Sequence, residues 1–299
     1  MTEMERHLLV TVSADFSALW GVRFVGRFFS NKKDLKVTLF YTAPQRTATA
    51  WERGHDRAAM ARVRSQTEKS LQRGRDALDH ARKLLSGFGL GQDQVETKLI
   101  LRQYSKLMDI IQEKEKGLYD AVVLGKRGLT WLQETVEDSV SKGLLQENLG
   151  APVWICRKID PERKDVLLCV DGSGSSYDMA DHVGFILAGG SDHKVTLFHA
   201  DTPHGLAFRD VAEIFEQNKK ILVDNGFPEQ AIETRTVPSG NAAKAILHEA
   251  ESGRYGVVAV GRTGEEGGLL SGIFPSSVSL ALFRRLEGAA LWVSRRHTG

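Results

Sequence analysis

Cysteine is scarce in this chain: of 299 residues, only Cys156 and Cys169 carry a thiol. Each sits in a short apolar run of strand character, which favours reduced thiols in a core. A disulfide would need two strand interiors to face each other. Long apolar runs are missing as well. None reaches the roughly 18 residues of a membrane-spanning helix, so no membrane partner is expected. The first residues include Glu3 and Glu5, and the apolar stretch at 8–12 is too short for the core of a secretory signal. A cytoplasmic location is therefore expected. Nor is there an excess of one charge. Forty basic residues face 38 acidic ones, a net of +2, which argues against the clustered basic footprint of a nucleic-acid binder. The nine histidines show no metal-ligand spacing. None falls in a motif that would activate a serine. No metal ligand and no catalytic residue is assigned.

What the chain does have is a repeat. Lys36-Val37-Thr38-Leu39-Phe40 recurs unchanged as Lys194-Val195-Thr196-Leu197-Phe198, an offset of 158. At the same offset, residues 9–13 match 167–171 when Ser13 is set against Asp171. Residues 119–125 match 255–261 at offset 136, and 150–155 match 288–293 at offset 138. The drop from 158 to 136 leaves 22 extra residues in the first copy. The join falls near Asp160 and Pro161, so the expected domains are 1–160 and 161–299.

Each copy alternates strands and helices. In the second, residues 166–170 form a continuous apolar run that reads as a strand buried on both faces. Ser173, Ser175 and Ser176 then offer helix caps. Strands at 195–200, 232–237, 257–260 and 290–293 alternate with helices at 208–225, 241–251 and 276–286. The fold class expected is α/β: two tandem, doubly wound, five-stranded parallel-sheet (Rossmann-like) domains. Ligands of such sheets bind outside the carboxyl ends of the strands, where the strand order reverses. That rim carries Asp171, Ala200 and the loop after Gly261.

Gly261-Arg262-Thr263-Gly264 follows the fourth strand, and Ser276-Ser277-Val278 open the next helix. Small residues let backbone N–H groups approach a phosphate, and a helix N-terminus adds favourable partial charge. Asp171 is placed to accept from ribose hydroxyls, although an aspartate there also suits an N-cap. His199, at a strand end, reads as structural or adenine-adjacent. With these motifs the chain resembles a tandem universal stress protein. That family carries a ribose-facing aspartate after strand one and Gly-x2-Gly-x9-Gly-(Ser/Thr) after strand four, which binds ATP phosphates. The stretch 240–247 is similar to the family's Gly-x-Pro-Ala-x-x-Ile-Leu start to helix three.

The resemblance implies ATP or AMP, with or without Mg, held by Asp171, Ala200, Gly261, Gly264, Ser276, Ser277 and Val278. Two departures stand out there: eleven residues separate Gly264 from Ser276, and Ser276 replaces the last glycine. The first copy has a weaker set: Ser13, Asp15, Thr42, Gly125, Gly128 and Ser139. Its loop spacing fits, but Asp138 replaces the last glycine, and Ser13 replaces the aspartate unless Asp15 serves. A carboxylate beside a triphosphate is unfavourable without a metal or base between. The resemblance further implies that the last strands, 152–157 and 290–294, pair along their edges. Trp154 and Trp292 there read as packing residues, in a core or between the copies.

The 22 extra residues fall within 51–88, which reads as one long helix ringed by arginines, with an imperfect apolar seam through Met60, Val63, Thr67, Leu71, Gly74, Leu78, Ala81 and Leu85. It either lies on its own domain or serves as an arm for a homodimer or a protein partner. The function expected is therefore a stress-response regulator that binds ATP or AMP mainly through the second domain, at most a slow ATPase. The alternative is a nucleotide-free interaction module acting through 51–88. A transferase or ligase of the same superfold lacks a second substrate motif.

Overall fold

The computed structural model describes residues 5–45, 57–125, 151–189, 192–202, 211–261 and 277–294. The first half runs β1 (Arg6–Thr11), α1 (Trp20–Phe28), β2 (Leu35–Ala43), α2 (Arg57–Gly87), β3 (Val95–Leu101), α3 (Lys106–Lys116), β4 (Ala121–Gly125) and β5 (Val153–Cys156). The second runs β6 (Val166–Cys169), α4 (Gly174–Leu187), β7 (Val195–Asp201), α5 (Val211–Asp224), β8 (Ile232–Pro238), α6 (Ala242–Ser252), β9 (Val257–Val260), α7 (Ser277–Arg285) and β10 (Ala290–Val293). The chain is α/β, with one Rossmann-like unit laid down after the other.

All ten strands join one sheet, in the order β3-β2-β1-β4-β5-β10-β9-β6-β7-β8. Counted from its own first strand, each half has the order 3-2-1-4-5. Every neighbouring pair is parallel except one. At the centre β5 and β10 run antiparallel, with Trp292 opposite Trp154.

The strands are apolar on both faces because helices cover both. Leu8 and Val10 point to a core shared with α1, α2, α4 and α5; Leu9, between them, points to a core shared with α3, α6 and α7. The halves repeat their polar pairs too. Lys36–Glu96 at 3.0 Å and Lys194–Glu233 at 3.4 Å tie each outermost strand to its neighbour. Buried Glu113 accepts from Lys98 and from the Tyr119 hydroxyl at 2.7 Å. Buried Glu249 likewise accepts from Arg235 at 2.9 Å and from the Tyr255 hydroxyl at 3.3 Å.

The helix expected at 51–88 is α2, seen from residue 57 to 87; residues 51–56 lie outside the described ones. Its second half is docked: Gly74, Ala77, Leu78, Ala81 and Leu85 are buried. Gly74 is the point of closest approach. A Cβ there would stand 2.6 Å from Leu99 Cδ1 and 2.8 Å from Tyr41 Cδ1. The first half of α2 buries only Ala59, and Arg57, Arg62 and Arg64 face outward.

Candidate functional site

Three strand ends and two helices of the second half surround a cleft of about 130 Å³. Cys169, Val170 and Asp171 come from β6 and its exit, Phe198, His199 and Ala200 from β7, and Val260 and Gly261 from β9 and its exit. Ala242 and Ile246 of α6 and Val278 and Ser279 of α7 close the sides. β6 is first in its half and β9 fourth, and they are neighbours in the sheet. The cleft thus sits at the carboxyl ends of the strands where their order reverses, the place where open α/β sheets bind ligands.

Of the residues expected from sequence, Asp171, Ala200, Gly261 and Val278 meet in this cleft. Ser277 is the first residue of α7. Gly264 and Ser276 lie outside the described residues, as do Gly128, Asp138 and Ser139 of the first copy. Neither Lys nor Arg stands among the lining residues. Burial and the Asp171 charge push the Cys169 thiol well up, so it is protonated.

Asp171 is solvent-exposed and shapes the turn into α4. Its Oδ1 accepts from the Ser173 amide at 2.9 Å and the Ser173 hydroxyl at 2.6 Å. Ser173 in turn accepts from the Ser176 amide at 3.2 Å and is the N-cap of α4. Of the residues that read as caps, Ser173 takes the role, in place of Ser175, Ser176 or Asp171. The aspartate turns the chain early, so the cap falls two residues before the first of those serines. Asp171 Oδ2 has no partner among the described residues.

The first half keeps this turn but moves its carboxylate. The Val12 amide donates to Phe40 as the Val170 amide does to Phe198, both at 2.9 Å. Ser13 therefore holds the place of Asp171 and Asp15 that of Ser173. Asp15 Oδ1 accepts from the Ser17 amide at 3.1 Å and hydroxyl at 2.6 Å. The same pair of bonds is made two residues further on, and Ser13 donates to the Asp15 carbonyl at 3.2 Å. Thr42 holds the place of Ala200. It is buried, and its hydroxyl has no partner among the described residues. Tyr41, at the place of His199, is buried beneath α2 at Gly74.

Gly261 is explained by packing. A Cβ there would stand 2.7 Å from the Ser176 amide nitrogen and 2.9 Å from the Ser175 carbonyl oxygen. At Gly125 the nearest atom would be the Ala18 carbonyl oxygen at 3.4 Å, an ordinary contact. Sequence reasoning placed His199 near the rim but missed Phe198, Ile246 and Ala242 as cleft walls. The repeated Lys-Val-Thr-Leu-Phe carried the signal for Phe198: its last residue stands where β7 reaches the rim.

Among the described residues His199 makes one hydrogen bond: its Nδ1 lies 2.9 Å from the Val170 carbonyl oxygen. A carbonyl only accepts, so Nδ1 carries the proton. In the neutral ring Nε2 is then an acceptor. Among the described residues no helix is long and apolar enough to cross a membrane, and no three metal-ligating side chains gather.

Neither a family model nor a curated protein sequence matches this chain. Solved structures do. A universal stress protein from Archaeoglobus fulgidus superposes over 99% of this chain and 98% of its own at 16% identity, with a TM-score of 0.64. A protein of unknown function from Pseudomonas aeruginosa does so over 98% and 93% at 15% identity, with a TM-score of 0.54. A universal stress protein in complex with cAMP is 24% identical over 45% of this chain and 97% of its own, with a TM-score of 0.36. Over its whole length this chain has the fold of a universal stress protein.

Proposed function

We propose that the cleft of the second half holds an adenine nucleotide, ATP or AMP with or without Mg, and that the protein is a stress-response regulator of the cytoplasm. The observation that carries this is the placement of Asp171, whose Oδ2 has no partner among the described residues, on the rim at the reversal of strand order. A carboxylate there suits ribose hydroxyls, and Phe198, Ile246, Val260 and Val278 offer apolar walls to a base. The cleft is smaller than the roughly 300–1,000 Å³ of usual small-molecule sites, so it would enclose part of the nucleotide. Among the described residues its lining has no cation, so on this reading the phosphates fall to backbone N–H groups at the start of α7 and to Gly264, Ser276 and Ser277. The two units of the proposal are residues 1–160 and 161–299. The second is the binding unit, because the first has Ser13 for the aspartate and a covered Tyr41. Asp171 is taken up by the ribose on this reading, so any hydrolysis of ATP is slow.

The competing reading is a nucleotide-free interaction module. What favours it is the outward face of α2 with Arg57, Arg62 and Arg64. Calorimetric titration with ATP and AMP separates the two. Binding that weakens at least tenfold in Asp171→Ala supports the nucleotide site. No bound nucleotide after purification, and no heat at millimolar concentrations, favours the interaction module.

A further inference from the structure

The two rims share one plan but differ in lining. Asp171, Ala200 and Ala242 face the cleft of the second half. In the first half Ser13 and Thr42 hold the first two of these places. Lys106 holds the third. Ser105 caps α3 by accepting from the Met108 amide at 3.2 Å, as Asn241 caps α6 by accepting from the Lys244 amide at 3.0 Å, and Lys106 and Ala242 come next. A carboxylate thus gives way to a hydroxyl, and two alanines give way to a hydroxyl and an ammonium.

We propose that the rim of the first half is a separate site for a small oxyanion, held by the Thr42 hydroxyl and the Lys106 ammonium. It stands apart from the nucleotide reading, which concerns the other rim. The buried hydroxyl carries the argument. Thr42 is 5% exposed, and its Oγ1 has no partner among the described residues. Its neighbours Tyr41 and Ala43 belong to the core under α1 and α2, so strand alternation turns Thr42 with Phe40 to the α3 side. Ala200 is turned to the cleft on the α6 side in the same way. A buried donor left unpaired is costly, and an acceptor brought by a ligand removes that cost. The hydroxyls beside it are already spent as donors: Thr11 on the Val123 carbonyl at 3.1 Å and Ser13 on the Asp15 carbonyl at 3.2 Å. The carboxylates nearby are turned to the loops. Asp15 accepts from the Ser17 amide, and Asp109 accepts from the Tyr104 amide at 3.4 Å and lies beside Arg102. The first turn of α3 adds favourable partial charge for an anion. With Ser13 in place of the aspartate, nothing here repeats the acceptor offered to a ribose.

Calorimetric titration of the full chain with inorganic phosphate tests this. One phosphate site is expected. Its affinity should fall about tenfold or more in Lys106→Ala and in Thr42→Val, each of which removes a donor to the oxyanion. It should be unchanged in Asp171→Ala. Thermal midpoints show that each variant folds and give a second readout: phosphate raises the native midpoint and leaves that of the double variant where it is. AMP run alongside separates free phosphate from the phosphate of a nucleotide. AMP binding abolished by Asp171→Ala names free phosphate as the occupant of the first rim; AMP binding that survives Asp171→Ala but not Lys106→Ala names the nucleotide. Phosphate that does not bind, that binds undiminished in folded Thr42→Val and Lys106→Ala, or that is lost with Asp171→Ala overturns the site. Failure of AMP to bind at all overturns the nucleotide reading and leaves this one standing.

Discussion

Trp154 and Trp292 lie flat on one another across the centre of the sheet, ring centres 4.1 Å apart and planes 6° from parallel. They face each other in the antiparallel register of β5 and β10 and are fully buried. Their surroundings are related but unequal. His182 of α4 and Phe24 of α1, 158 residues apart, each set an edge or face against both indoles. His182 Nε2 accepts from Trp154 Nε1 at 3.0 Å. A phenyl ring offers no such acceptor, and Trp292 Nε1 is a buried donor without a partner among the described residues.

Replacing His182 by Phe should therefore leave a second indole N–H unpaired. A buried donor stripped of its acceptor costs about 1–3 kcal/mol. Urea denaturation would show this as a lower midpoint with an unchanged slope. An unchanged midpoint would mean that the bond contributes nothing.

Gly261→Ala and Gly125→Ala should part company. The first drives a methyl into main-chain atoms at the start of α4, and overpacking of that kind costs about 1–3 kcal/mol. The second meets ordinary contact distances and should cost well under that. Thermal melts of the two variants decide it, and equal losses would refute the packing account of Gly261.

Two glycines of α2 make an opposite pair. Alanine gains about 1 kcal/mol over glycine inside a helix from propensity alone. At Gly74 that gain is outweighed, because the new methyl meets the Leu99 and Tyr41 side chains below 3 Å. At Gly87 no atom lies within 4 Å of the site, so Gly87→Ala should stabilise by up to about 1 kcal/mol. Stabilisation by Gly74→Ala would show that α2 is not docked as described.

Stability should also fall in mild acid. Burial holds the imidazoles of His7 and His193 below their ordinary value. The unfolded chain then takes up protons first, near pH 6.5. Their contribution is complete above that pH and is lost as pH falls through the lower folded values. Burial raises Asp109 and Asp120 and gives the opposite sign, but in the carboxylate range near pH 4. Denaturation midpoints should be flat from pH 7 to 8 and decline from about 6.5 to 5.5. A flat profile down to 5.5 would contradict this.

Much of the fold was legible because its signals are local. The runs 257–260 and 290–293 are β9 and β10 to the residue, since strands buried on both faces announce themselves as unbroken apolar stretches. Boundaries set by side-chain hydrogen bonds were harder. The cap at Ser173 depends on a bond from Asp171 that hydrophobic pattern does not encode. The site was legible in part. Asp171, Ala200, Gly261 and Val278 were found as rim positions, but the acceptor state of His199 depends on a carbonyl 29 residues away in the chain. Repeat matching set Ser13 against Asp171, and the register agrees. It did not show that Asp15 rebuilds the turn from the next cap position.

The single antiparallel seam between β5 and β10 has a geometric outcome for ligands. Strands of the first half all point one way and those of the second the other, so the two carboxyl rims open at opposite ends of the molecule. A body approaching from one side meets one rim, and whatever fills the cleft beside Asp171 stays out of reach of anything at Ser13. The halves meet elsewhere, through the stacked indoles and beside them, where Phe28 stacks on His193 and Arg6 donates to the Ile186 carbonyl.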